Sequence, residues 1–116
     1  MQRIIVTGAT SMIGVALIEE CIKHGTEVYA VVREGSEKRS RLPESSLIKF
    51  VDCSLEHLDR LPEMIPQECD TFYHIAWGNT GENRNSSTEL QSRNIGYTLA
   101  AVKAAAALGC KRFIGA

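Results

Sequence analysis

The chain has no apolar run longer than a strand. Its longest, such as "VYAVV" from Val28 to Val32, fall far short of the ~20 residues that a bilayer-spanning helix needs, which predicts a soluble protein with no membrane partner. It also has no surplus of charge. Thirteen Lys and Arg stand against fourteen Asp and Glu, a formal net charge of -1, which gives no reason to expect a nucleic-acid partner because phosphate-backbone binding needs a basic surplus on some face. The opening "MQRIIVTG" has no h-region and no small-residue cleavage site, so the expected location is cytoplasmic, and the sequon at Asn85 is then irrelevant. The four cysteines, Cys21, Cys53, Cys69 and Cys110, lack CxxC or other metal-ligand spacing. No metal is expected, and each thiol reads as a reduced packing residue.

At 116 residues with 44% hydrophobic content, the chain suits a single domain, residues 1–116, with one core. Short β-branched runs alternate with longer periodic ones, the pattern of an α/β fold with a parallel sheet wrapped by helices. "RIIVTG" predicts a first strand. "SMIGVALIEECIKHG" follows as a helix, with Ile13, Ala16, Leu17 and Cys21 expected on its buried face and Gly25 as its stop. "EVYAVVR" predicts a second strand buried on both faces. The polar "EGSEKRSRLPESS" has room for a short helix, and "LIKFVDC" predicts a third strand. "SLEHLDRLPEMIP" predicts two short helical pieces split at Pro62, and "CDTFYHIA" a fourth strand. "WGNTGENRNSST" reads as a loop. A long helix is expected from a capping box of Ser86 with Glu89 to a glycine stop at Gly109, and "KRFIGA" opens a fifth strand. Gly96 costs about 1 kcal/mol inside that helix, which suggests a close approach there.

"VTGATSMIG", Val6 to Gly14, lies between the first strand and the first helix. One reading is a tight turn. The other is a phosphate loop: Gly8 makes the sharp turn, Thr10 lies within it, backbone N–H groups of Ser11, Met12 and Ile13 face a pyrophosphate, and Gly14 lets helix and sheet approach closely. About 20 residues further on, where an acid would bind the ribose of NAD, stands Arg33, whose planar donors suit the 2′-phosphate of NADP. Ser36, Lys38, Arg39 and Arg41 add a local polar and basic cluster that reads equally well as a solvated face.

These stretches resemble the extended short-chain dehydrogenase/reductase family, the NAD(P)-dependent epimerase/dehydratase group. "TGATSMIG" is similar to its TGxxGxxG with Ser11 for the central glycine, "VDCSL" to its acid ending the third strand, "DTFYHIAW" to its HxAA ending, "NIGYT" to its NxxGT, and "AAALGCKRFIGA" to its run into the fifth strand. The resemblance covers essentially the whole chain. It implies a Rossmann-type doubly wound sheet of about five strands with helices on both faces. It implies adenine contacts by Asp52 and by the backbone of Cys53, a nicotinamide-side ribose lined by Ile75, Ala76 and Trp77, and a site position for Asn94. The cofactor it implies is NADP, with NAD possible. His74 reads as a buried, satisfied histidine, and Asp70 as a turn or cap residue.

The family's catalytic Tyr-x-x-x-Lys is missing. Tyr29 is followed four residues later by Arg33, Tyr73 by Trp77 and Tyr97 by Ala101. The chain therefore reads as the N-terminal part of an oxidoreductase or epimerase that acts by hydride transfer on a nucleotide-sugar or related carbonyl or hydroxyl substrate. An apolar fifth strand ending at "FIGA" fits a sequence interrupted after that strand. A non-catalytic NAD(P)-binding sensor or regulatory module is the alternative, and Ser11 and Trp77 fit it. A homodimer through the long helices is compatible with either.

Overall fold

The computed structural model describes residues 2–76 and 88–115. Its strands are β1 (Arg3–Thr7), β2 (Glu27–Val32), β3 (Ile48–Asp52), β4 (Thr71–His74) and β5 (Arg112–Gly115). All neighbouring strands run parallel, in the order β3-β2-β1-β4-β5. The order reverses between β1 and β4, which opens a crevice beyond their C-terminal ends. β2 is buried along Val28–Val32, as a strand covered on both faces should be.

Strand alternation divides the interior into two cores. On one side Ile4 and Val6 of β1 join Val28, Ala30 and Val32 of β2 under the helix α1 (Met12–Lys23). On the other, Ile5, Tyr29, Val31 and Phe72 lie under the short helix α2 (Leu61–Met64) and the long helix α3 (Thr88–Ala107). Alanines 101, 104 and 105 form much of the buried face of α3, and their small side chains let it lie close to the sheet. The two expected pieces around Pro62 are a 3₁₀ segment, Leu55–Arg60, and α2, with the proline in the first turn of α2, where a missing N–H costs nothing. Ser36 opens a 3₁₀ turn over Glu37–Arg41. The expected capping box at Ser86 lies outside the described residues.

Two expectations need correction. The buried face of α1 is Gly14 and Ile18, flanked by the half-buried Val15, Leu17, Cys21 and Ile22, whereas Ile13 is 61% exposed and Ala16 faces solvent. The reason lies at Gly14, whose contact with Gly8 fixes the rotation of the helix and turns its first apolar residues outward. Gly96, in turn, has no described atom within 4 Å of where a Cβ would stand, so none of the described residues approaches closely enough to require it. Gly96→Ala is therefore expected to stabilise the fold by about 0.5–1 kcal/mol through helix propensity. A thermal melt checks this, and an unchanged or lower midpoint would refute the open-space reading.

Among the described residues no helix is long and apolar enough to cross a membrane. The outer face of α3 carries Ile95, Leu99 and Val102 at spacings of four and three, so they form one exposed apolar stripe.

Candidate dinucleotide site

The β1–α1 turn is closed by its own atoms. Gly8 has φ +70, a left-handed conformation that disfavours a side chain, and a Cβ there would stand 2.7 Å from Ala76 N. A Cβ on Gly14 would stand 2.1 Å from Gly8 O. Both glycines are therefore required by contact, one towards β4 and the other towards the turn.

Ser11, which stands in place of the motif's central glycine, is engaged within the turn itself. Its hydroxyl donates to Gly8 O at 2.7 Å and accepts from Gly14 N at 3.0 Å, in an N-cap conformation with φ -71. The serine staples the turn. Its own N–H is spent on Gly8 O at 3.0 Å, so of the three N–H groups expected to face a phosphate, Ser11 drops out. Met12 and Ile13 N–H make no hydrogen bond to a described residue and stand at the positive end of α1, the arrangement that suits an anion. Ser11→Ala should cost about 1 kcal/mol, because Gly14 N–H loses its partner, and Ser11→Gly only a few tenths. Chemical denaturation separates the two variants; no loss of stability in Ser11→Ala would show that the hydroxyl caps nothing.

The facing wall is the end of β4. Thr7 Oγ1 accepts from Ile75 N at 3.2 Å and from Ala76 N at 3.3 Å, and lies 2.8 Å from His74 Nδ1. His74 is buried as expected, and burial pushes its imidazole below the usual histidine range. Among the described residues it is only half satisfied, however, since none of them partners Nε2.

Arg33 stands exposed just beyond β2, and its carbonyl accepts Ser36 N at 3.1 Å. Ser36 Oγ accepts Lys38 N at 3.3 Å, which makes it a cap for the 37–41 turn. Asp52 ends β3 and pairs with Arg39, whose guanidinium also lies 5.3 Å from the Phe50 ring centroid. Cys53 is buried, donates through N to Val32 O at 2.9 Å, and places its Sγ 3.1 Å from His57 O. Arg41 Nη1 reaches Thr10 O at 3.1 Å, and the two border a surface cavity of about 510 Å³ together with Met12 and Glu19. Asn94 is buried on α3, and its carbonyl accepts the Thr98 hydroxyl at 3.0 Å. Trp77 lies outside the described residues.

The structure thus gathers Gly8, Thr10, Ser11, Met12, Ile13, Gly14, Ile75 and Ala76 around the crevice between β1 and β4. Arg33, Asp52 and Cys53 sit along the same edge of the sheet, at the ends of β2 and β3. The sequence reading missed the Thr7–His74 contact and the links from Arg39 to Asp52 and from Arg41 to Thr10. Asp70 is a turn residue as expected, its carboxylate accepting Arg3 N at 2.8 Å and its carbonyl Lys111 N at 2.9 Å. All four cysteines are free; burial raises each thiol, Cys69 to about 12, in keeping with a packing role.

The family model described as the NAD dependent epimerase/dehydratase family matches residues 4–116. No curated protein matches the chain. Among solved structures, the fold is similar to an epimerase from the methanogen Methanothermobacter thermautotrophicus (TM-score 0.72, 24% identity, 98% of this chain and 34% of that one). It is also similar to a UDP-galactose 4-epimerase (0.79, 18%, 98% and 37%) and to the Thermus thermophilus UDP-glucose 4-epimerase in complex with NAD (0.77, 20%, 97% and 36%). These likenesses show the Rossmann-type fold. The chain spans little more than a third of the length of these three structures.

Proposed function

We propose, from the premise that this chain belongs to the NAD-dependent epimerase/dehydratase family, that it is the cofactor-holding part of an oxidoreductase or epimerase that works by hydride transfer. The observation that carries this reading is the pair of N–H groups, Met12 and Ile13, that bond to no described residue and stand at the mouth of the β1/β4 crevice. A nicotinamide dinucleotide fits there by chemistry: its pyrophosphate supplies the anion that these two donors and the helix end lack. The dinucleotide supplies the hydride chemistry, and the chain's own residues bind and orient it.

In this reading residues 1–116 form one NAD(P)-binding domain. Thr10, Ser11 and Gly14 shape the phosphate loop around Gly8, and Asp52 and the Cys53 backbone border the adenine. Ile75, Ala76 and Trp77 line the ribose on the nicotinamide side, with Asn94 contributing from α3. Arg33 takes the 2′-phosphate of NADP, with Ser36 capping the turn that follows. The substrate is a small molecule, a nucleotide-sugar or a related carbonyl or hydroxyl compound, and the tyrosine that moves its proton belongs to a longer parent protein. A cytoplasmic setting and a homodimer belong to the same reading; the Ile95, Leu99 and Val102 stripe supports a second copy as partner.

Titration with NADPH and NADH, beside Arg33→Ala, tests the cofactor preference. A charge-assisted contact of about 1.5–3 kcal/mol corresponds to roughly a ten- to hundredfold preference for NADPH, lost in the variant. Equal affinity for both cofactors in the unaltered chain would remove Arg33 from this role.

A further inference from the structure

The last atoms of β1 and β4 hold a hydrogen-bond arrangement whose proton positions can be counted. Thr7 Oγ1 has two lone pairs and one proton. Ile75 N and Ala76 N approach it at 3.2 and 3.3 Å, and Ile75 N also lies 3.3 Å from Thr7 O, a three-centre bond. Those two donors fill the acceptor capacity of the hydroxyl. Its own proton must then go to the remaining neighbour, His74 Nδ1, at 2.8 Å. The imidazole therefore carries its proton on Nε2. The opposite tautomer would crowd three donors onto two lone pairs, leave the threonine proton without an acceptor, and leave Nε2 as an unmet acceptor. The first arrangement leaves a single group unmet among the described residues, Nε2–H, consistent with the His74 atom that has no partner there.

We infer that His74, with its proton on Nε2, is a positioning residue of the dinucleotide cleft: it orients the Thr7 hydroxyl so that both lone pairs hold the Ile75 and Ala76 N–H groups. This inference rests on the function proposed above. Its consequence reaches the phosphate loop through backbone contact. A Cβ on Gly8 would meet Ala76 N at 2.7 Å, Ala76 Cα at 3.0 Å and Ile75 C at 3.0 Å, so the loop glycine is seated directly on the two residues that Thr7 holds. Release of Ala76 lets both walls of the cleft separate. His74 acts only through Thr7. Its ring is kept in place by burial and by Phe113, whose centroid lies 6.2 Å away at an interplanar angle of 29°.

The arrangement makes different side chains separable. Asparagine offers an oxygen near the place of Nδ1 and can accept the Thr7 proton; leucine fills the space and cannot. His74→Asn should keep NADH affinity within about threefold of the unaltered chain, and His74→Leu should weaken it by roughly tenfold or more, one such step being 1.4 kcal/mol. Thr7→Val should resemble His74→Leu, and Thr7→Ser should resemble the unaltered protein. Two measurements need no cofactor. Imidazole ¹⁵N chemical shifts above about pH 7 should show His74 protonated on Nε2 alone, and amide hydrogen exchange at Ile75 and Ala76 should accelerate in His74→Leu but not in His74→Asn. A proton on Nδ1, or equal effects of asparagine and leucine on both exchange and affinity, would overturn the inference. Absence of NADH binding by the unaltered chain would overturn the proposed function, while the ¹⁵N and exchange results still decide the state of His74.

Discussion

Gly14→Ala is expected to cost more cofactor affinity than any other single methyl group added to the β1–α1 turn. The new Cβ would lie 2.1 Å from Gly8 O and 3.0 Å from both Ala9 C and Ala9 Cα. All three are backbone atoms, so no side chain can swing aside. Relief requires α1 to move away from β1, which costs about 1–3 kcal/mol as overpacking does elsewhere. The same movement breaks the Ser11 staple, since Ser11 Oγ is held at once by Gly14 N and Gly8 O. The Met12 and Ile13 N–H groups then lose their fixed relation to the crevice, and NADH affinity should fall by tenfold or more. Denaturation and NADH titration of the variant check both effects. A fold as stable as the parent, with undiminished NADH binding, would mean that Gly14 is only a helix residue.

The second large effect belongs to the core that holds the facing wall. Phe72 is fully buried on β4, paired in register with Phe113 of β5, with ring centroids 5.5 Å apart. It shares its core with Ile5 of β1 and with Ala101, Ala104 and Leu108, from α3 and the residue following it. Phe72→Ala should cost about 3–5 kcal/mol, the usual range for an aromatic removed from a packed interior. That is a large part of the 5–15 kcal/mol that a domain commonly has. Phe72→Leu should lose much less, because it keeps most of the volume. Urea denaturation of the two variants is the check, and a loss below about 1 kcal/mol for the alanine variant would show that β4 is not held from this side.

Much of the fold was legible because local pattern and global topology agree. The five β-branched runs became the five strands, Pro62 divided the helical segment where a proline should, and Gly25 and Gly109 follow α1 and α3 with φ of +73 and +76. The loop between β1 and α1 and the edge position of Arg33 followed from the same alternation. What was not legible depends on contacts between residues far apart in the chain. The rotation of α1 is set by Gly14 against Gly8, a packing fact that outweighs the apolar character of Ile13. Thr7 and His74 are 67 residues apart, and nothing in "VTG" or "FYH" alone says that their side chains meet. The pairing of Arg39 with Asp52 likewise joins a polar turn to a strand end. Ser11 stood out in the sequence only as a departure from the glycine pattern, because a glycine motif counts only absent side chains, whereas its hydroxyl closes the turn from within.

In the proposed function a nicotinamide dinucleotide sits across the ends of β1 and β4 with its pyrophosphate on Met12 and Ile13 N–H. Titration of the ¹⁵N-labelled chain with NADH, followed through backbone amide resonances, tests it most directly. Saturable shifts centred on Met12, Ile13, Gly14 and Ala76 are expected, with the N-terminal ends of the strands, around Arg3 and Glu27, unmoved. Saturable shifts centred elsewhere, or none at NADH concentrations well above a millimolar dissociation constant, about 4 kcal/mol of binding energy, would contradict it.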